Sequence, residues 1–535
     1  MQPVGEWIPD QAEVMLPGVR IADNVVATSN GYTSMHGLSA VDLDTADVIS
    51  DTVRGYGNGR LSAGGGTQWM AAGTSSNAYL SRNGQPFTDV TPTMTALSDS
   101  GRWTFSQYEP PSGTPPGLIL ATPGVGNGAV YTTNAGAAFL PILNNTLTTG
   151  SVSVPSANVS MIFRGFYVLG DIDLSAAYGR QEGGLHWSAQ GNPLLWPLVG
   201  TAAATDVLSD FQVLQGSGGR ITALVPSREY ALVFREREVW RMDFVGGSNI
   251  FEFRKVDSHR GCIATGGAIS VGGLTYFPSE AGWMSCDGAS VRPIGLEKID
   301  RFWRDEVGTD MESVTNVTSV AYDPERRTIW WNFPGVGPGR VYGYHADLQR
   351  WTRLTVTLDW IGTTIPITAD TMDTNKTTDP VPGDYGSRNM DSTVAPNLGS
   401  VVLNTLTQTG VDEILIGFPQ ADHQPYGFTN SGAPLQGKIG GGDFADQASS
   451  ARVLLRNVRP VFGSVSDPSD IQMSVEARLL PGKAPSEMAK ITGINTLGRI
   501  PYRIQGRYLR PFFFFNGFVT QFRGFEPVVV SGGTR

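Results

Sequence analysis

Two cysteines, Cys262 and Cys286, are all that the 535-residue chain contains. A small domain stapled by disulfides would hold more, so both thiols are expected to be free and buried. Charge is scarce as well: Asp, Glu, Lys and Arg together make up 16%, and the formal net charge is -10. Proteins that grip nucleic acid neutralise phosphates with Lys and Arg, so an acidic balance argues against a DNA clamp, though not against a wall that DNA slides past. The longest apolar run, around residues 511–519, falls far short of the ~20 residues a spanning helix needs. The first ten residues, M-Q-P-V-G-E-W-I-P-D, offer neither a basic n-region nor an apolar h-region. A protein made in the cytosol, without a signal peptide and without membrane insertion, is the expectation.

What the chain has in quantity is punctuation. It carries 66 Gly and 34 Pro alongside 10% aromatic residues, the composition of many short strands joined by tight turns. One phrase recurs: P-G-V-G-x-G-x-V-Y runs from Pro123 to Tyr131 and again from Pro334 to Tyr342. An internal repeat outranks any single motif as a guide to fold. Further units share its setting. Each opens on an apolar strand, at 67–72, 118–121, 166–170, 230–234, 275–277 and 328–333, and continues through a second strand, a short turn and a third strand. The turns include Asn83-Gly84, Gly191-Asn192 and Asp287-Gly288, residue types that tolerate the positive φ of two-residue hairpin loops.

Units of about four strands recurring every roughly 40–60 residues match propeller blades. The apolar strands are near-continuous, as suits strands buried between neighbouring blades. A sandwich with Greek-key hairpins is the alternative, but one sandwich does not repeat its strand-turn phrase six times. The expected class is all-β: a β-propeller of about six blades, a C-terminal β-sandwich-like domain and one short helix between blades.

Residues 1–56 supply strands at 19–27 and 32–38 that are expected to help close the propeller, whose blades occupy 57–361. The stretch 362–400 is rich in Thr, Asp, Asn, Pro and Gly, buries little and reads as a long exposed loop. Strand texture returns over 401–436, and 437–535 reads as a separate small β domain. Within it Phe512–Phe515 cannot all face one core, because alternate strand residues point to opposite faces. One pair is expected to meet a second layer or a partner, or to be covered within the chain.

The helix expected over 295–307 places Leu296, Ile299 and Trp303 on one face. Its charged face, Glu297, Lys298, Arg301, Arg304 and Asp305, offers candidate subunit or partner contacts; the plainer alternative is a helix that caps a blade edge.

Catalytic signals are thin. None of His36, His186, His259, His345 and His423 stands in an H-E-x-x-H pattern or at zinc spacing with Cys. The glycine runs at Gly55, Gly124 and Gly335 lack the G-K-S/T ending of a phosphate loop, and two of them join strand to strand, so they read as hairpin turns. Asp171 and Asp173 could begin a cation site but lack a closing ligand set; a solvated blade loop is the simpler reading. Propeller glycosidases need two carboxylates, and the 49 acidic residues offer too many pairs to choose from. No catalytic, cofactor or metal residue is singled out.

The order of longer phrases carries a resemblance. N-V-V-A-T-S-N-G-Y-T-S-M-H-G-L from Asn24 is followed by L-H-W-S-A-Q-G-N-P-L-L-W-P, Y-A-L-V-F-R-E-R-E-V-W-R-M-D-F-V-G-G and the phrase H-R-G-C-I-A-T-G-G. The helix L-E-K-I-D-R-F-W and the closing G-R-Y-L-R-P-F-F-F-F complete the series. In this order the chain resembles the tail hub or nozzle proteins of short-tailed bacteriophages, a group that includes packaged-DNA stabilisation proteins and, more distantly, tail tubular B proteins. The resemblance spans most of the chain from Asn24 on.

It implies a non-enzymatic virion tail protein without cofactors, forming a six-fold homo-oligomeric ring beneath the portal and adaptor. It also implies contacts with fibre, spike or needle proteins and transient passage of double-stranded DNA. Two alternatives stand beside it: a propeller that docks fibres or a host receptor, and a propeller glycoside hydrolase.

Overall fold

The structure is a computed structural model. It describes all residues except 12–17, 42–48, 62–66, 99–100, 111–116, 134–135, 143–153, 176, 248, 308–317, 336–339, 366–412, 430–431, 444–451, 479–485, 488–489 and 532–535. The 362–400 loop expectation therefore falls almost wholly outside the described residues.

Short apolar strands and positive-φ turns fold into four-stranded antiparallel meanders. Six follow one another along the chain: blade 1 (55–89), blade 2 (104–141), blade 3 (156–213), blade 4 (221–257), blade 5 (269–293) and blade 6 (319–354). A seventh joins Leu358–Thr364, Ile414–Pro419 and Tyr426–Phe428 to Leu38–Ala40 from the N-terminal segment. The first strand of each blade packs on the first strand of the next, and Leu358–Thr364 returns to Gly55–Leu61. The circle is closed, and the fold is a seven-bladed propeller. Blade 7 escaped the sequence estimate of about six because its first two strands flank the Thr/Asp-rich stretch and its outermost strand comes from the other end of the chain.

The second strands are the apolar ones. Leu118–Thr122 and Thr328–Asn332 are buried at every position, and Leu274–Ser279 at every position but its first, since each is sandwiched between neighbouring blades. Both copies of P-G-V-G lie at the same place in their blades, between the second and third strands of blades 2 and 6. In the first copy Gly124 and Gly126 take φ of 80° and 99°, a region where a side chain would be strained.

Blade 6 does not end at its fourth strand. Arg350–Leu354 lies parallel to Val19–Asp23, which pairs with Gly437–Gly441; Tyr508–Phe515 and Ile471–Arg478 follow. A second sheet, ordered Gln2–Pro3, Gly524–Ser531, Val453–Val461, Ile500–Gly506, faces this extension. Leu455, Val458, Tyr502 and Phe525 from one sheet meet Met473, Val475, Phe513 and Phe515 from the other in a cluster that also holds Trp283, Trp331 and Trp351 of blades 5 and 6. The C-terminal strands thus form a sandwich sharing its core with the propeller. Phe512 and Phe514, on the opposite face, are buried within the chain, with the Lys490 ammonium 3.9 Å from the Phe514 ring centroid and Lys438 over both rings.

The helix between blades is shorter than expected, spanning Asp300–Val307. Glu297 takes φ 59°, which breaks the helical path, and Leu296 is consequently 63% exposed instead of joining Ile299 and Trp303 in the core. Asp10 caps the helix by accepting the backbone N–H of Arg301 at 2.8 Å and of Phe302 at 2.7 Å, a placement favoured by the helix dipole.

Closure of the ring predicts a sensitive position. Ser39→Pro removes a backbone donor from the strand that completes blade 7 and leaves its ladder acceptor unsatisfied, a defect costing ~1–3 kcal/mol. The expected outcome is a fall of several degrees in thermal midpoint, read by scanning calorimetry, whereas proline at exposed Thr496 should change it little.

Candidate functional site

Because the seven first strands run side by side around the axis, their N-terminal ends gather at one mouth of the central channel. Arg102, just before the first strand of blade 2, fills that mouth. Its Nη1 donates to the carbonyl of Thr265, entering blade 5, and to the carbonyl of Thr318 at 3.1 Å, entering blade 6. Its guanidinium lies over the Trp360 ring of blade 7, 5.0 Å from the centroid. One side chain therefore ties blade 2 to the blades opposite. Arg102 is 6% exposed and has no carboxylate partner among the described residues. Burial pulls its pKa down to about 10. At Gly266 a Cβ would sit 2.4 Å from the guanidinium nitrogens, so a glycine is needed for this approach.

Side chains also staple neighbouring blades near the axis. Trp331 Nε1 donates to Gly267, Trp103 Nε1 to Thr74, and Asn332 Nδ2 to Leu358 and Asp359. Asp359 accepts from the Val53 N–H and meets His423 Nδ1 at 2.5 Å; burial raises the pKa of its carboxyl. Cys262 and Cys286 are free and buried, with burial pushing their thiols up to about 12 and about 11.

Asp171 is not part of a solvated loop. It is fully buried in the strand Phe166–Leu174, at φ 59°, where the ladder register shifts between Gly170 and Ile172. Its carboxylate meets Arg180 at 2.5 Å and accepts from Asn158; burial nonetheless raises its pKa to about 6. The ion pair serves packing, and its geometry leaves no ligand set around Asp171 and Asp173. Among the described residues no group of three or more His, Cys, Asp or Glu side chains is placed to hold a metal.

The helix residues singled out from sequence divide by role. Lys298 pairs with Glu6 at 2.8 Å and Arg304 Nε donates to the Asp300 carbonyl, so these two serve the fold. Arg301 and Asp305, 3.6 Å apart, are 81% and 73% exposed, and Glu297 is also exposed. A cleft of about 530 Å³ lies elsewhere, where the Val25–Ser34 hairpin, the turns of blade 6 and Phe518 meet. His36 stacks on Phe518 at 4.6 Å within it, beside Arg326, Arg327 and His345. Neither Arg102 nor this cleft was marked by sequence: no periodicity signals a side chain that reaches across a ring, and His36 and Phe518 lie at opposite ends of the chain.

No protein-family model and no curated protein matches the chain. Solved structures match at low similarity. The extracellular domain of a putative one component system, BT4673 from B. thetaiotaomicron, aligns with TM-score 0.36 and 9% identity over 61% of this chain and 37% of its own length. Apo AztD from Citrobacter koseri gives 0.31 and 13% over 62% and 86%, and the Neurospora crassa Pan2 WD40 domain 0.28 and 12% over 51% and 78%. The chain spans about a third of the first of these. The propeller assignment rests on the closed ring of blades itself.

Two outcomes follow from these buried groups. Arg102→Ala should cost about 2–4 kcal/mol in urea unfolding, since two buried carbonyls lose their donor. Arg102→Met should cost less, because it keeps the volume and removes an uncompensated buried cation.

His186, fully buried with Nδ1 2.8 Å from the Tyr178 hydroxyl, has its pKa lowered to about 3 by burial. A folded pKa below the unfolded value means stability present above about 6.5 and lost as pH falls toward 3. Wild type should lose about 2 kcal/mol more than His186→Phe between pH 6.5 and 4.5, the difference read from urea midpoints.

Proposed function

We propose that this protein is a non-catalytic docking and assembly propeller. The observation that carries this is Arg102: its guanidinium spans one mouth of the channel, so that mouth offers no entry, while outer faces of the blades and of the C-terminal sandwich stay exposed. Combined with the order of sequence phrases, the finer proposal is a subunit of the tail nozzle of a short-tailed bacteriophage. It would form a ring, six-fold by resemblance, beneath the portal and adaptor, helping to retain packaged DNA and conduct it during ejection. The bore of that ring would be the space enclosed by several subunits, not the axis of one propeller. An acidic overall charge suits a wall along which DNA must move without being held.

A second reading is favoured by the cleft between the N-terminal hairpin, blade 6 and Phe518, whose stacked imidazole, arginines and acids offer a polar docking site. In that case the propeller presents loops to tail fibres or a host receptor. Mass measurement and electron microscopy of isolated tails separate the two. The nozzle proposal expects a closed ring on the portal–adaptor complex, and one or two copies per tail would overturn it. The second reading expects His36→Ala to reduce adsorption with ring assembly unchanged. Purified protein should bind duplex DNA weakly at physiological salt; tight, steeply salt-dependent binding in an anisotropy titration would point instead to a clamp.

A further inference from the structure

The chain is acidic overall, yet residues 437–535 carry 13 Lys and Arg against seven Asp and Glu, leaving 26 against 42 in residues 1–436. Part of that excess base stands on one face of the sheet ordered Gln2–Pro3, Gly524–Ser531, Val453–Val461, Ile500–Gly506. Successive strand residues point to opposite faces. Ile500, Tyr502 and Ile504 turn into the sandwich core, so Pro501, Arg503 and Gln505 turn outward. The ladder to the next strand runs Leu455↔Ile504, then Asn457↔Pro501, with a register shift between. Exposed Arg456 therefore falls in the same interval as Arg503 on the adjacent strand.

Arg452 and Arg499 are exposed at the ends of these two strands. None of the four arginines forms an ion pair with a described residue. The acid that the ladder places on this face, Glu526, lies 3.8 Å from Arg459. Like charges facing one another across a ladder destabilise a sheet, so a bound anion would relieve a repulsion that the free face carries.

The third strand of the same face is apolar. Val528 and Val530 pair with Asn457 and Leu454, which puts them on the outward side, and they are 38% and 37% exposed. The face is thus divided lengthwise, with arginines on Val453–Val461 and Ile500–Gly506 and valines on Gly524–Ser531. An exposed aliphatic stripe beside unpaired base marks a contact surface. Its partner must offer negative charge and an apolar layer within a side chain's length of it. Duplex DNA offers phosphates with no apolar layer beside them. An anionic lipid bilayer offers both, with phosphates at its surface and acyl chains just beneath.

We propose that this sheet face docks on the surface of an anionic lipid bilayer, lying against it without crossing it. Arg456, Arg499 and Arg503 hold lipid phosphates, whose oxygens match the guanidinium fork, and Val528 and Val530 press into the headgroup layer. Long arginine stems lean back along the sheet, so the charges stay at phosphate level while the valines enter. The acidic stretch 1–436 is repelled by the same surface, which leaves the basic face as the side that approaches. The contact rests on neither the nozzle reading nor the fibre-docking reading.

Flotation of the full chain with vesicles of equal parts phosphatidylglycerol and phosphatidylcholine, at low and high salt, tests it. Wild type should float with these vesicles at low salt, less at high salt, and not with phosphatidylcholine alone. R456E/R503E should lower partitioning by at least ~10-fold, since each basic residue near an anionic surface contributes about fivefold. R456Q/R503Q should show a smaller loss in the same direction, and it keeps the test open should charge reversal unfold the chain. V528S/V530S should lower partitioning at low and high salt alike, because apolar burial is not screened. A wild type that stays unbound at low salt, or binding indifferent to both arginine variants, would overturn the contact. Binding that V528S/V530S leaves unchanged would overturn the bilayer as partner and reduce the face to a patch for any polyanion. Duplex DNA binding, or self-association, that R456E/R503E abolishes in a chain that ignores vesicles would also overturn it. Ring assembly on the portal–adaptor complex bears on the nozzle proposal alone, so the two fail separately.

Discussion

The architecture depends on where the first forty residues of the chain go. A propeller is a sheet array that must be closed, and closure by the chain's own beginning pairs its start with its far end. Here that segment does more than latch one blade. Gln2–Pro3 edges the C-terminal sheet, Val19–Asp23 lies between blade 6 and Gly437–Gly441, and Leu38–Ala40 completes blade 7. Asn24 is the pivot between two of these roles. At φ 57° it turns the chain out of one sheet, while its side chain bonds the Thr355 N–H, the Thr355 hydroxyl and the Gln436 carbonyl. Asn tolerates this left-handed backbone better than most residues.

Beside it, Arg353 holds Asp23 through two hydrogen bonds of 2.9 and 3.0 Å and also meets Glu306 at the end of the helix. Arginine's planar fork suits such a bidentate grip. The link between propeller and sandwich is thus a continuous sheet reinforced by a half-buried ion network, with Trp283 packed among Trp303, Trp331 and Trp351 beneath it. Such a join couples the two parts more rigidly than a flexible linker would.

Much of this was legible in the sequence, for local reasons. The blade strands are short, apolar and bounded by turn residues, so their positions could be marked within a residue or two at 67–72, 118–121 and 230–234. The recurrence of P-G-V-G found equivalent sites in blades 2 and 6. What could not be read is what closes over distance. Blade 7 joins residues near 40 to residues near 427, and Val19–Asp23 finds its partners in residues near 353 and 440. Leu296 failed for a different reason: helical spacing assumed a helix that the backbone at Glu297 breaks. Asp171 looked solvent-facing because it is charged, but Arg180 and Asn158 supply the partners that make its burial tolerable.

The same contrast holds for the candidate sites. The helix face was visible as a run of charges, yet Lys298 and Arg304 turn out to be engaged with the chain itself. Arg102 stands alone in its local sequence, and only the closed ring explains it. A guanidinium with no carboxylate partner among the described residues is an expensive plug, offset by carbonyls that the ring geometry turns toward the axis. An enzyme that worked through this mouth would need it open to substrate. Here the mouth is occupied by a bond network tying blade 2 to blades 5, 6 and 7. With one mouth of the axis given over to rigidity, what remains uneven is charge, which is sorted between an acidic stretch 1–436 and a basic stretch 437–535.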